Sequence, residues 1–305
     1  MSSLPHLALL ELAVAGTSFL SGIFGMAGGM VLMGILLAIM PLAMAMTLHA
    51  ITQMASNGWR AWLWREHIRW RPVAAYASGA AVAVGAFALY AMQPSKAQAL
   101  LILGLTPLAG LLLPRQARLN AMRPAHGVAC GAVCMSLQLL AGVSGPMLDV
   151  FYVHSGLDRR AIVATKATVQ TMGHALKLAY FGTLLALDGE ALSPILAAMT
   201  VLVALGGTHA SRTVLDRMSD TQFLTWSRRL IVVVAGAYLA QGTFLLARAQ
   251  RGHADGCASQ TCISQAPTAR DRDPSNRGDV DAQRPSQRGK PAARPARASR
   301  SATQP

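Results

Sequence analysis

Charge is scarce in this chain, and negative charge scarcest. Of 305 residues only 13% are Asp, Glu, Lys or Arg, about half of the roughly 25% that a soluble domain carries. Acids number 13 against 27 Lys and Arg. No Gly-Lys-Ser/Thr phosphate loop occurs, so direct ATP hydrolysis by this chain is not expected. There is no catalytic triad, no Cys-x-x-Cys and no His-bearing zinc spacing, so no enzyme activity, metal or cofactor is expected. Cysteines are few, 4 in all. No Lys or Arg precedes the first apolar run and no Ala-x-Ala site with a polar chain after it occurs; residues 7–24 are therefore expected to stay as a membrane helix and not to act as a cleaved leader.

What the chain does have is apolar length. Hydrophobic residues make up 53%, and runs long enough to cross a bilayer recur from Leu7 to Ala247. They do not alternate as barrel strands would. Ten segments can be drawn, at 7–24, 28–42, 44–64, 72–92, 97–113, 124–141, 145–157, 161–187, 191–210 and 229–247. The expected fold is all-α, a polytopic membrane protein of 8–10 spanning or half-spanning helices. The second and seventh segments are short, and each follows a glycine cluster: Gly25, Gly28 and Gly29, then Gly142, Gly145 and Pro146. Glycine and proline break a helix there and let backbones approach closely.

The two clusters stand 117 residues apart, and the same offset relates two polar stripes. His49, Gln53, Asn57 and Arg60 map onto Lys166, Gln170, His174 and Lys177. Steps of four, four and three put each set on one helix face. The offset divides the chain into a first repeat (1–113), a basic linker (114–123), a second repeat (124–247) and a tail (248–305). The tail holds +6 of the net +14 and has almost no aliphatic run, so it is expected to be disordered. Basic loops at 65–71, 115–123, 158–160 and 212–217 alternate with neutral or acidic turns, which sets the basic loops in the cytoplasm of a cell membrane protein. Five crossings per repeat would make the repeats inverted; re-entrant short segments would leave four crossings each and parallel repeats. Trp59, Trp62, Trp64, Trp70 and Trp226 flank basic loops, as headgroup-level anchors do.

Each stripe carries cations through apolar sequence. Gln53 and Gln170 lie about 9 residues, or roughly 14 Å, into their segments from opposite faces, near the midplane of a core about 30 Å thick. A charge at that depth costs at least ~2.5–3.5 kcal/mol and normally faces a partner or a wet path. No acid on either striped segment can pair with Lys166 or Lys177; Asp149 and Asp158 are the nearest in sequence. Lys166 and Lys177 are thus read as lining an anion path. Snorkelling is the competing account of Arg60, and cross-helix bonding that of the glutamines and Asn57. His49 and His174 are either neutral packing groups or carriers of a coupling proton. Helix starts at Gly25, Gly28, Gly29, Gly142, Ser144 and Gly145 add backbone N–H groups suited to an oxyanion.

The glycine pattern Gly22–Gly29, the stretch Ala45–Arg71, the Gly142–Pro146 cluster and Ala161–Gly182 together resemble the sulfite exporter TauE/SafE family. The resemblance covers most of residues 7–247 and none of the tail. The first cluster departs from the family pattern at Ala27 and lacks a proline after Gly29. The resemblance implies an anion transporter for sulfite, sulfonates and related sulfur-containing acids. Without a phosphate loop a gradient must drive it; a small anion, lipid and a coupling proton are the expected partners, and no nucleic acid. A rival reading places redox or cofactor-assembly chemistry at Cys130 and Cys134, four apart on one helix face.

Overall fold

The computed structural model describes residues 4–24, 26–112, 119–215, 217 and 219–263. Among them are ten α-helices and no strand. These are α1 (Leu4–Phe24), α2 (Met26–Ile39), α3 (Leu42–Leu63), α4 (Trp70–Leu89), α5 (Lys96–Leu112), α6 (Pro124–Ala141), α7 (Gly145–Tyr152), α8 (Arg159–Leu187), α9 (Pro194–Leu215) and α10 (Asp220–Ile263). A 3-10 turn at Arg65–His67 joins α3 to α4. The protein is thus a polytopic all-α membrane protein. Helix α10 runs on to Ile263, past the end of its apolar run at residue 247. The remaining tail, 264–305, lies outside the described residues, as do most of the linker and the side chains of Cys257 and Cys262.

Among the described residues five stretches are long and apolar enough to cross a membrane: Leu4–Phe24, Trp70–Leu89, Pro124–Ala141, Pro194–Ser211 and Arg229–Arg248. Helices α3 and α8 have the length, with 22 and 29 residues, but carry the polar stripes. Packing resolves that conflict: α3 lies against α8, and His49, Gln53, Asn57, His174 and Lys177 are buried. Helices α2 and α7, of 14 and 8 residues, rise only ~21 and ~12 Å at about 1.5 Å per residue. Both are too short to span a full core.

Local sequence explains where the helices stop. Pro124 opens α6, where its missing N–H is not needed. Gly142 closes it in the left-handed region at φ 81°, its N–H donating to the Gln138 carbonyl. Asp158 caps α8, accepting from the N–H groups of Arg160 and Ala161 at 2.9 and 3.0 Å. Those backbone donors, Ala161 first, hold its carboxyl below the ordinary aspartate range.

The packing repeats under the 117-residue offset, which pairs α1 with α6, α2 with α7, α3 with α8, and α4 with α9. Helix α4 packs on α6 as α9 packs on α1; α3 on α9 as α8 on α4; α1 on α3 as α6 on α8. Helices α4 and α6 run parallel, with Gly127 against Ala75 and Gly79 against Val128. So do α1 and α9, where Glu11 accepts from Thr200 and Gly22 meets Ser211. The α3–α8 pair is antiparallel: His49, early in α3, meets Lys177, late in α8, while Arg69, just past α3, meets Thr165. Reciprocal glycines draw α4 and α6 together, since a Cβ at Gly79 or Gly131 would run into the facing backbone.

Three basic segments gather at one end of the bundle. The Arg69 N–H donates to Thr165 Oγ1 at 3.0 Å, Arg160 stacks 5.3 Å over Trp64, and the Ala121 N–H reaches the Phe151 carbonyl at 2.9 Å. Arg65 lies 4.8 Å from the Trp62 ring centre, with Trp62 and Trp70 exposed. At the other end Lys96 Nζ donates to the Met40 carbonyl and Tyr180 Oη to that of Met92.

Candidate functional site

The α3–α8 contact places an ammonium group in the interior. Lys177 has no solvent exposure. Its Nζ donates to His49 Nδ1 at 2.8 Å and to the Gly142 carbonyl at 3.0 Å. Among the described ion pairs none involves Lys177. Lysine has three donors and no acceptor, so Nδ1 of His49 accepts and the ring proton sits on Nε2. That proton goes to the Gly29 carbonyl at 2.9 Å. The result is a continuous bridge from Gly29 through His49 and Lys177 to Gly142, which ties the two glycine clusters together. Gly142 ends α6, where exposed carbonyls and the negative end of the helix dipole favour a cation. The His174 ring lies beside that of His49, with 5.4 Å between centres, and its buried Nδ1 has no partner.

The rest of the first stripe continues the polar seam. Gln53 is buried against Gly29, whose Cβ, if present, would lie 3.0 Å from Oε1. Its Oε1 takes a long 3.5 Å contact from Asn57 Nδ2, and its Nε2 is buried without a partner. Asn57 Nδ2 also donates to the Gln53 carbonyl at 2.9 Å. Arg60 turns back to donate to Asn57 Oδ1 at 2.9 Å, so its side chain completes the stripe and does not simply reach for solvent. Ser56, between these residues, shares a hydrogen bond with Thr208 of α9.

The second stripe differs. Lys166 donates to Asp149 Oδ1 of α7. That pairing corrects the expectation of a cation without a carboxylate: α7 folds the acid back onto α8, a tertiary contact that the striped helices do not reveal. The Asp149 side chain is 50% exposed and that of Lys166 17%. Gln170 is half-buried. Gly28 packs against Thr17 and Ser21 of α1; with Gly29 it lies in the first turn of α2. Gly145 opens α7 and is buried. Gly25 lies outside the described residues.

One neighbour was not legible as a site residue. Gln138, near the end of α6, is 1% exposed. Its Oε1 accepts from Ser144 Oγ at 2.8 Å, while its Nε2 is buried with no partner. It sits beside Gly173 and the Tyr76 hydroxyl. The offset partner of Gln138 is Ser21, so the repeat comparison does not single it out. Cys130 and Cys134 lie on the same helix, buried and reduced, with sulfurs 3.9 Å apart.

The site thus sets one fully buried lysine beside buried amide donors without partners at Gln53 and Gln138. The model of the family described as Sulfite exporter TauE/SafE matches residues 10–240, which cover all of both stripes and both glycine clusters. That family consists of membrane transporters and not of enzymes. Comparison with curated proteins and with solved structures finds no match.

Proposed function

The chain belongs to the sulfite exporter TauE/SafE family, and from that premise we propose that it is a secondary transporter of a small sulfur oxyanion or sulfonate across the cell membrane. The observation that carries this reading is Lys177, an ammonium sealed in the α3–α8 seam with a carbonyl and an imidazole for partners and no carboxylate. A buried ion costs several kcal/mol after relaxation, and a passing anion is the counter-charge this site lacks. Gln53, Asn57 and Arg60 extend the seam on α3, and Gln170 on α8. The pairing of Lys166 with Asp149 shifts the main role to Lys177. First-turn N–H groups at Gly28, Gly29 and Gly145 add donors near the bridge.

Packing that repeats under the 117-residue offset, with an antiparallel central pair, supports two inverted repeats, an architecture many secondary transporters share. The gathered basic loops and tryptophans support a cytoplasmic assignment for that end. His49 gives the proposal a coupling step. Its Nδ1 accepts from Lys177, so a proton arriving at Nδ1 removes that acceptor and frees the ammonium for an anion. Proton and anion would then travel together, with His174 next in line.

The test is uptake into proteoliposomes across a panel of labelled anions (sulfite, methanesulfonate, sulfate, chloride), with and without an imposed pH gradient. Saturable, gradient-dependent movement of a sulfur anion supports the reading. No flux for any member of the panel, with folded protein in the bilayer, overturns it.

A further inference from the structure

The break between α6 and α7 carries a second device. Ser144 occupies the position before α7 where a side-chain oxygen usually caps the first N–H groups, yet it makes no such bond. Its hydroxyl donates instead to Gln138 Oε1. Two results follow. The start of α7 is left without a side-chain cap: the Leu148 N–H closes back onto the Ser144 carbonyl, while Gly145 and Met147 precede it with first-turn N–H groups, and Pro146 has none. The Gln138 amide is also oriented by that bond, and its Nε2, close to Gly173 of α8, is buried with no partner. A buried donor left unpaired is destabilising, which is tolerable where a ligand supplies the acceptor.

We propose that Gln138 is a specificity-determining residue of the anion site, presenting its Nε2 donors to a substrate oxygen at the start of α7, with Ser144 as the positioning residue that fixes the amide. This rests on the transport reading above and names the half-site that reads the ligand. The ligand class is a compact oxyanion with several acceptor oxygens on one centre. One oxygen meets the amide while another reaches the α7 N–H groups; Lys177, bonded one turn away to the Gly142 carbonyl, supplies charge. A spherical halide gains only the charge.

The experiment compares wild type, Gln138→Glu, Gln138→Met and Ser144→Ala in proteoliposomes, measuring KM and maximal rate for sulfite and for chloride. Gln138→Glu keeps shape and the Ser144 bond but replaces donors by negative charge; it should abolish sulfite flux. Gln138→Met should raise the sulfite KM about ten- to a hundredfold, the worth of a hydrogen bond to a charged group, and leave the chloride KM within a small factor. Ser144→Ala should raise the sulfite KM less than Gln138→Met. A uniform loss for both anions, or wild-type sulfite KM in both Gln138 variants, overturns the assignment. Wild-type protein that moves no sulfur anion would instead refute the transport reading, so the two failures are distinct. Should Gln138→Glu fail to insert, Gln138→Met carries the test alone.

Discussion

Replacing Lys177 by methionine tests the central charge, because the structure forecasts little change in stability and a large loss of flux. The substitution preserves length and apolar stem. It deletes two hydrogen bonds, leaving His49 Nδ1 and the Gly142 carbonyl without their donor. Each stranded acceptor costs about 1–3 kcal/mol. Against that, the variant no longer buries an ammonium, whose desolvation costs several kcal/mol. The terms are of similar size and opposite sign, so the folded protein should change in stability by no more than ~2 kcal/mol. Flux has no such compensation. An anion that loses a charge-assisted hydrogen bond loses about 1.5–3 kcal/mol, and each ~1.4 kcal/mol is tenfold. Sulfite uptake should therefore fall roughly ten- to a hundredfold in a well-folded variant. The assay pairs proteoliposome uptake with thermal denaturation in detergent. A stable Lys177→Met protein that transports at the wild-type rate and KM would refute the reasoning; so would gross unfolding of that variant, which would make Lys177 a structural strut.

Further outcomes follow from the same geometry. Lys166→Gln should cut flux far less than Lys177→Gln, since Asp149 already neutralises Lys166 and the pair is partly solvated; uptake should stay within about fivefold, the factor that ~1 kcal/mol represents. Cys130→Ala with Cys134→Ala should leave uptake intact, because neither thiol lies on the polar bridge; lost transport with retained folding would promote the redox reading instead. Asp158→Ala should lower the melting temperature at neutral pH by removing the α8 cap. The Asp158 carboxyl is held below its ordinary range, so its stabilising contribution is present above that range and is lost as pH falls through the depressed value. The gap between variant and wild type should therefore close on strong acidification, as melting curves at stepped pH would show.

Much of the fold was legible because a bilayer leaves few options. Apolar runs and glycine breaks placed the ten described helices, and the stripes named His49 and Lys177, which the structure joins between α3 and α8. Other features depend on tertiary geometry. Asp149 precedes Lys166 by 17 residues and reaches it only because the chain turns between α7 and α8. Gln138 stands in an apolar helix with no polar rhythm, and its role emerges from a bond to Ser144 that spans the helix break. The bridge itself joins residues as far apart as His49 and Lys177, and the sequence offset pairs neither with the other. The extent of α10 also exceeds its apolar run, because helix continuation needs no hydrophobicity once the backbone ladder is under way.

The most direct measurement is a crystal structure of the protein soaked with selenite, a pyramidal oxyanion like sulfite whose selenium scatters anomalously. The expected result is an anomalous peak with oxygens in hydrogen-bonding reach of Lys177 Nζ and Gln138 Nε2, at the start of α7. Selenium bound only at the outer loops, with the Gly29–His49–Lys177–Gly142 bridge unaltered and no density beside it, would rule out an anion site at Lys177.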